Sequence, residues 1–256
     1  MKSIVIIATN TFREIIRDRI LYGIVVFALL LIGVSVALGS LSFAEQARIS
    51  ANFGFTGIQI SASILAIFIG STLVAREIEK QTILTLLARP VTRSQFLVGK
   101  FFGLVLVIVT VMAGLAVVVA ALVTTLGLSI GLPFFVALYG IVLEALLLIA
   151  VTLLFGSFSR PAMTVIFATS IFLIGHWIGS LDAISKTKLV SDSFKSVSRI
   201  LVNVVPDFER FNWRSAPIYD TPVPAIEILN SSLYAVGWLV FLLALTSMVF
   251  RRRDFV

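Results

Sequence analysis

Long uninterrupted apolar runs dominate the chain, at 20–41, 56–75, 101–126, 132–157, 162–181 and 232–250. Each has about the roughly 20 residues a helix needs to cross a hydrocarbon core of about 30 Å. Apolar residues follow one another without a period of two, so the runs predict helices rather than the strands of a barrel. The expected fold class is all-α: a polytopic membrane protein with six transmembrane helices, residues 1–256 forming a single transmembrane domain. Residues 1–19 differ from the runs. Ile4, Ile7, Ala8, Phe12, Ile15 and Ile16 fall close to one helical stripe, and Arg13, Glu14, Arg17, Asp18 and Arg19 break up the segment. That pattern predicts an amphipathic helix lying at the membrane interface. The mixed charges and the missing small-residue cleavage site argue against a signal peptide.

Two connections are long, 76–100 and 182–231. In the second, Phe194, Val197, Ile200, Leu201 and Val204 share a face opposed by Lys195, Ser196, Arg199 and Asn203, which predicts a helix over 193–205 stopped by Pro206. Phe208, Phe211, Trp213 and Tyr219 then suit a strip resting at the membrane interface, where amphipathic aromatics are enriched. The strip serves either as a cover for the helix ends or as a substrate gate. In the first connection, Thr82 to Ala88 predicts a short helix with Ile83, Leu84, Leu86 and Leu87 apolar. Pro90 disfavours helical backbone at Arg89 and breaks the chain there. Thr92-Arg-Ser-Gln95 fits a capping box, in which the Thr92 hydroxyl and the Gln95 amide satisfy the first free backbone groups of the next helix. An apolar knob is thereby presented beyond the membrane edge. It either packs back on the bundle or headgroups, or docks on a soluble partner with Glu77, Glu79, Arg89 and Arg93 as a charged collar.

Composition agrees with the pattern: 59% of residues are hydrophobic and 13% charged, with a mean hydropathy of +1.10. The formal charge of +7, from 20 Lys and Arg against 13 Asp and Glu, does not indicate nucleic acid, because the basic residues flank the spans. With the N-terminus inside, Lys2, Arg13, Arg17, Arg19, Arg76, Lys80, Arg89, Arg93, Lys100, Arg160 and Arg251 to Arg253 face the cytoplasm, while the short outer connections hold Arg48. Both termini and the 76–100 loop are therefore expected in the cytoplasm and the 182–231 segment outside. The membrane is expected to be a bacterial cytoplasmic (inner) membrane.

Several chemistries are excluded. The chain has no cysteine and one histidine, so it offers neither a disulfide, a thiolate metal site nor a His-Glu-x-x-His zinc motif. Gly99-Lys100 is followed by Phe101, not Ser or Thr, so no phosphate-binding loop is present. No catalytic residue, metal or cofactor is expected, and any ATP must be hydrolysed on another chain.

The motif Glu77-x-Glu79, Gln81-Thr82, then Leu86-Leu87-x-Arg89-Pro90-Val91-Thr92-Arg93 and Gly99-Lys100 entering a span, resembles the first cytoplasmic loop of ABC-2 type permeases. Val205-Pro-Asp-Phe-Glu-Arg-Phe-Asn212 and the terminal Phe250-Arg-Arg-Arg-Asp-Phe255 are similar to that family too, leaning toward the permeases linked to multicopper enzyme maturation and gliding. Gln81 stands where that family often has Gly. The resemblance implies a membrane subunit paired with a second permease copy or homologue and carrying two separate ATPase subunits. It also implies a coupling helix in the 76–100 loop whose contact with the ATPase involves Glu77, Glu79, Thr82, Leu84, Leu87, Arg89, Pro90 and Arg93.

Two polar residues within the spans stand out. Glu144 lies mid-span, where a carboxyl group faces the bundle interior or a cavity; it is a candidate for the substrate path or a hydrogen-bonded packing residue. His176 lies within Gly175-x-x-x-Gly179, a spacing that permits close helix approach, so Gly175 and Gly179 are candidates for helix packing. One histidine without partner ligands favours packing over metal. The functional expectation is an ATP-driven exporter of an amphiphilic or apolar substrate, because the spans offer no continuous polar lining. The alternative is a non-transporting scaffold or mechanotransmission subunit that anchors ATPases to an envelope complex. A passive channel would want rings of charge, and the spans offer Glu144 alone.

Overall fold

The computed structural model describes residues 2–41, 45–79, 92–186 and 191–252. The described helices are α1 (Lys2–Ile16), α2 (Arg19–Gly39), α3 (Gln46–Glu79), α4 (Arg93–Thr125), α5 (Leu132–Gly156), α6 (Pro161–Ser185), α7 (Asp192–Val204), α8 (Ala216–Tyr219) and α9 (Ala225–Arg252), with a 3-10 turn at Glu209–Phe211. No strand occurs among the described residues. Six helices, α2 to α6 and α9, are long and apolar enough to cross a membrane. The protein is therefore an all-α integral membrane protein, as the apolar runs predict.

Helices α3 and α5 form the centre. Their most apolar windows are 72% and 67% buried, against 22% to 33% for the other four spans. On α5, Leu147 to Leu153 is buried throughout, so this helix is apolar on every side and enclosed by its neighbours. The pair approaches closely at Gly70, where an added Cβ would stand 2.9 Å from Thr152 Cγ2. The peripheral spans instead leave large apolar residues exposed, such as Leu30, Val117, Leu173 and Val240, which is the surface a hydrocarbon solvent requires.

Local signals set the helix limits. Asp18 caps α2 by accepting from Ile20 N at 3.0 Å. The expected capping box is present at the start of α4: Gln95 N donates to Thr92 Oγ1 at 3.3 Å, and Thr92 N donates to Gln95 Oε1 at 3.2 Å. Pro161 opens α6 at a position where no backbone N–H is needed. α3 begins at Gln46 rather than at 56, because its polar first turns pack on the end of α2: the Ser50 hydroxyl is buried and donates to Ser35 O at 3.3 Å. α9 begins at Ala225 rather than at 232, where the Pro224 carbonyl accepts from Glu227 N at 2.9 Å.

α1 is amphipathic and buries Ile7, Ala8, Thr11 and Ile15. It lies on α4, where Gly99 and Gly103 leave room: added Cβ atoms would stand 2.8 Å from Ile7 Cβ and 2.6 Å from Thr11 Cβ. Gly99-x-x-x-Gly103 is thus a small-residue seat for a helix crossing. Lys100, beside it, is buried with its Nζ 3.8 Å from Glu14 Oε2 and 5.6 Å from the centre of the Phe96 ring.

Antiparallel connection places the α2–α3, α4–α5 and α6–α9 links at one end of the bundle, called distal below, and the start of α2 and the end of α9 at the other. Ser94 of α4 meets Ser247 of α9 at 3.0 Å at the terminal end, and Tyr139 of α5 meets Ser232 of α9 at 2.9 Å at the distal end.

Candidate functional site

The segment following α7 does not rest on the bundle; it enters it. α7 starts where Ser191 accepts from Phe194 N at 3.3 Å and ends at Val204, before Pro206. The chain then turns inward, and Phe208, Phe211 and Trp213 are 0%, 1% and 5% exposed. Their expected place at the interface is corrected by two glycines. A Cβ on Gly175 of α6 would stand 2.7 Å from Pro206 O and collide with the Phe208 ring, and one on Gly140 of α5 would collide with the Phe211 carbonyl oxygen. Without those side chains the backbone fits between α5 and α6, and Phe208 N donates to Gly175 O at 3.2 Å. Burying each Phe is worth roughly 1.5–3 kcal/mol. Tyr219 stays 59% exposed.

Polar groups hold this plug in register. Asp207 accepts from Glu209 N at 3.1 Å and from Arg210 Nε at 3.3 Å, which closes the turn that aims Phe208 and Phe211 inward. Asp207 N donates to Tyr234 Oη at 2.8 Å, and Arg210 lies 4.7 Å over the Tyr234 ring. Trp213 Nε1 donates to Glu227 Oε1 at 3.2 Å, tying the plug to the first turn of α9.

Beneath the plug is a buried polar cluster drawn from three spans. Glu144 of α5 is 1% exposed. Its Oε2 accepts from Gln59 Nε2 of α3 at 2.6 Å, and its Oε1 accepts from Ser63 Oγ, one turn further along α3, at 3.3 Å. Ser63 Oγ also lies 2.9 Å from Gln59 O. His176 Nδ1 stands 3.0 Å from the Phe172 carbonyl, which can only accept, so Nδ1 carries a proton. Its Nε2 is then the acceptor for Gln59 Nε2 at 3.2 Å and lies 3.7 Å from Glu144 Oε1. Gln59 thus bridges the carboxyl group and the imidazole with its two N–H donors. The His176 ring is stacked on Phe208 with centroids 5.7 Å apart, so the plug forms the roof of the cluster.

On the distal side, half-buried Arg214 Nη1 donates to Thr56 Oγ1 at 3.0 Å, and its Nε donates to Asn212 Oδ1 at 2.7 Å. Burial lowers the pKa of this guanidinium, and the carboxyl groups of Glu144 and Glu209 oppose that shift. Thr56, Gln59 and Ser63 recur at helical spacing, so one polar stripe of α3 descends from Arg214 to Glu144. Among the described residues, no group of three or more His, Asp or Glu side chains could hold a metal ion.

The residues expected to contact an ATPase fall differently. Glu77 and Glu79 belong to the last turns of α3, and Arg93 opens α4. Thr82, Leu84, Leu87, Arg89 and Pro90 lie outside the described residues. Glu144 is brought to His176, two residues noticed separately in the sequence. Gly175 receives Pro206 and Phe208, whereas a Cβ on Gly179 would meet nothing within 4 Å. Sequence reasoning passed over Gln59, Ser63, Arg214 and Gly140. A signal for the first two was present: Gln59 and Ser63 are polar, lie within an apolar span and are four residues apart, hence on one helix face.

A family model described as ABC-2 family transporter protein matches residues 5–255. No curated protein matches the chain. The chain therefore belongs to the ABC-2 transporter family, as a membrane-spanning subunit.

Proposed function

We propose that this ABC-2 family chain is the permease half of an ATP-driven exporter whose ATPase activity resides on separate subunits, two per assembly, and that it moves an amphiphilic or apolar substrate. The observation that carries the reading is the family match over residues 5–255. On this reading the 76–100 loop is the coupling element, and α1 lies at the membrane interface. Two permeases assemble side by side, and the Phe208–Phe211 plug with the Glu144 cluster forms a distal gate. The subgroup linked to multicopper enzyme maturation and gliding is the branch its motifs resemble. The gate is supported by the plug's seat on Gly140 and Gly175, above polar groups that an apolar bundle has no structural need to bury.

Glu144→Gln tests the gate. An amide at this position keeps one oxygen for Gln59, and its NH2 finds an acceptor in Ser63 Oγ, so the variant is expected to assemble as the wild type does. Substrate-stimulated ATPase activity of the reconstituted complex is expected to fall by roughly tenfold, about 1.4 kcal/mol of barrier. Wild-type stimulation in a well-assembled Gln variant would leave Glu144 a packing residue. Unstimulated turnover with every amphiphile tried would favour a non-transporting scaffold.

The orientation proposed from charge bias puts both termini and the coupling loop in the cytoplasm and Lys195 outside. The chain has no cysteine, so single cysteines at Arg89, Arg253 and Lys195 can be probed with a membrane-impermeant thiol reagent on sealed cells. Lys195→Cys is expected to label from outside, and Arg89→Cys and Arg253→Cys only after permeabilisation. Labelling of all three from one side would contradict the arrangement.

A further inference from the structure

We infer that the distal end of α6 and the polar face of α7 form a binding site for the phosphate headgroup of an anionic membrane lipid. Ser185, Lys186, Lys195, Arg199, Val202 and Asn203 line a cavity of about 340 Å³. Among the described lining residues, three are cations and none is acidic. Lys195 Nζ lies 3.2 Å from Asp192 Oδ1, a carboxylate that is 99% exposed, so solvent screens this pair.

Depth argues for a lipid as the source of the anion. The apolar run of α6 ends at Leu181, with Asp182 next in sequence. Ser185 and Lys186 follow one turn later, about 6 Å further at 1.5 Å per residue, where the hydrocarbon core gives way to headgroups. α7 is fixed at the same level, because Ser198 Oγ donates to Leu181 O at 3.1 Å. On its other side α7 exposes Val197, Ile200 and Val204 by 56%, 62% and 64%. A helix presenting basic residues on one face and uncovered apolar residues on the other, alongside the end of a span, is suited to the acyl–headgroup boundary. Lys and Arg at such a depth reach outward to phosphate along their apolar stems. α7 leads directly into the plug, so a headgroup held here would fix the helix from which the plug descends.

The test uses the intact chain, purified in detergent and titrated with phosphatidylglycerol or phosphatidylcholine, with bound lipid counted by native mass spectrometry. Wild type is expected to retain phosphatidylglycerol preferentially and to lose that preference as salt rises. Each of Lys186→Gln, Lys195→Gln and Arg199→Gln is expected to weaken its retention about fivefold, the factor for one basic residue at a charged membrane surface. Lys195→Arg is expected to keep it. Arg48→Gln, a distal cation outside the cavity, is expected to change nothing. Unaltered preference in a Lys195→Gln/Arg199→Gln chain would overturn the site, as would an equal loss with Arg48→Gln. Glycerol phosphate or inorganic phosphate bound as tightly as the lipid would assign the cavity to a soluble anion instead. The salt dependence of wild type needs no variant, so a preference indifferent to salt would refute the inference even if a variant failed to fold.

Discussion

Leu84→Asp or Leu87→Asp is expected to strip the ATPase from the membrane subunit while the six-span bundle is still made, extracted and eluted like wild type. Four apolar residues, Ile83, Leu84, Leu86 and Leu87, stand between Glu79 and Arg89 in a connection that lies outside every apolar run. Such residues need a burial partner, and on the proposed reading that partner is the subunit that hydrolyses ATP. Burying one Leu side chain is worth roughly 1.5–3 kcal/mol. A carboxylate in its place loses that contribution and adds an unpaired buried charge, a change that costs about 3–5 kcal/mol in known cases. Together these should lower affinity by more than about a hundredfold, since each 1.4 kcal/mol is a factor of ten. Glu79→Gln, a change at the rim of the knob, should cost at most about 1 kcal/mol. The measurement is recovery of ATPase with each tagged permease variant. Undiminished recovery with the Asp variants would place the segment on the membrane surface and end the coupling-helix reading.

Much of this protein was legible because lipid imposes a severe rule: a spanning helix must be apolar for about 20 residues, and such runs cannot be hidden in a sequence. Local chemistry was legible for a similar reason. The Thr92–Gln95 capping box and the Pro206 stop are encoded within a few residues, and α7 begins and ends within one residue of its expected limits. The plug was not. Phe208 and Phe211 have the composition of interfacial aromatics, and what draws them inward is the missing Cβ of Gly140 and Gly175 on two helices far off in sequence. Small-residue spacing gave one seat but could not say what occupies it. Gly175 receives the plug, while Gly99, noticed in the sequence for the Gly-Lys pair, and Gly103 receive α1. Glu144 was conspicuous as a carboxyl group within a span, yet Gln59, its closest hydrogen-bonding partner at 2.6 Å, became visible only when α3 and α5 were set side by side.

Gly140→Ala and Gly175→Ala are expected to unseat the plug, with Gly179→Ala as the matched control. All three replace a glycine in a helix with the best helix former, a change that by itself favours the helix by roughly 1 kcal/mol. At Gly179 the new methyl group meets nothing within 4 Å, so that variant should be at least as stable as wild type, unless a second copy of the chain occupies that face. At Gly140 it meets the Phe211 carbonyl oxygen, and at Gly175 the Phe208 ring and Pro206 O. Backbone cannot swing aside as a side-chain tip can, and overpacking of this kind costs about 1–3 kcal/mol. For a chain of this size each kcal/mol corresponds to roughly 2–4 °C in Tm. Gly140→Ala and Gly175→Ala should therefore melt several degrees below Gly179→Ala, against the order that helix propensity sets. Stability alone would not distinguish a displaced plug from a generally loosened bundle, so the second readout is local. Ser63, 4% exposed under the roof formed by Phe208, can be changed to Cys in this cysteine-free chain. Ser63→Cys should resist an impermeant thiol reagent alone and with Gly179→Ala, and react from the distal side with Gly140→Ala or Gly175→Ala. Equal melting temperatures in all three Ala variants, with Ser63→Cys silent in each, would mean that the Phe208–Phe211 segment is not held between α5 and α6 and does not close the distal end.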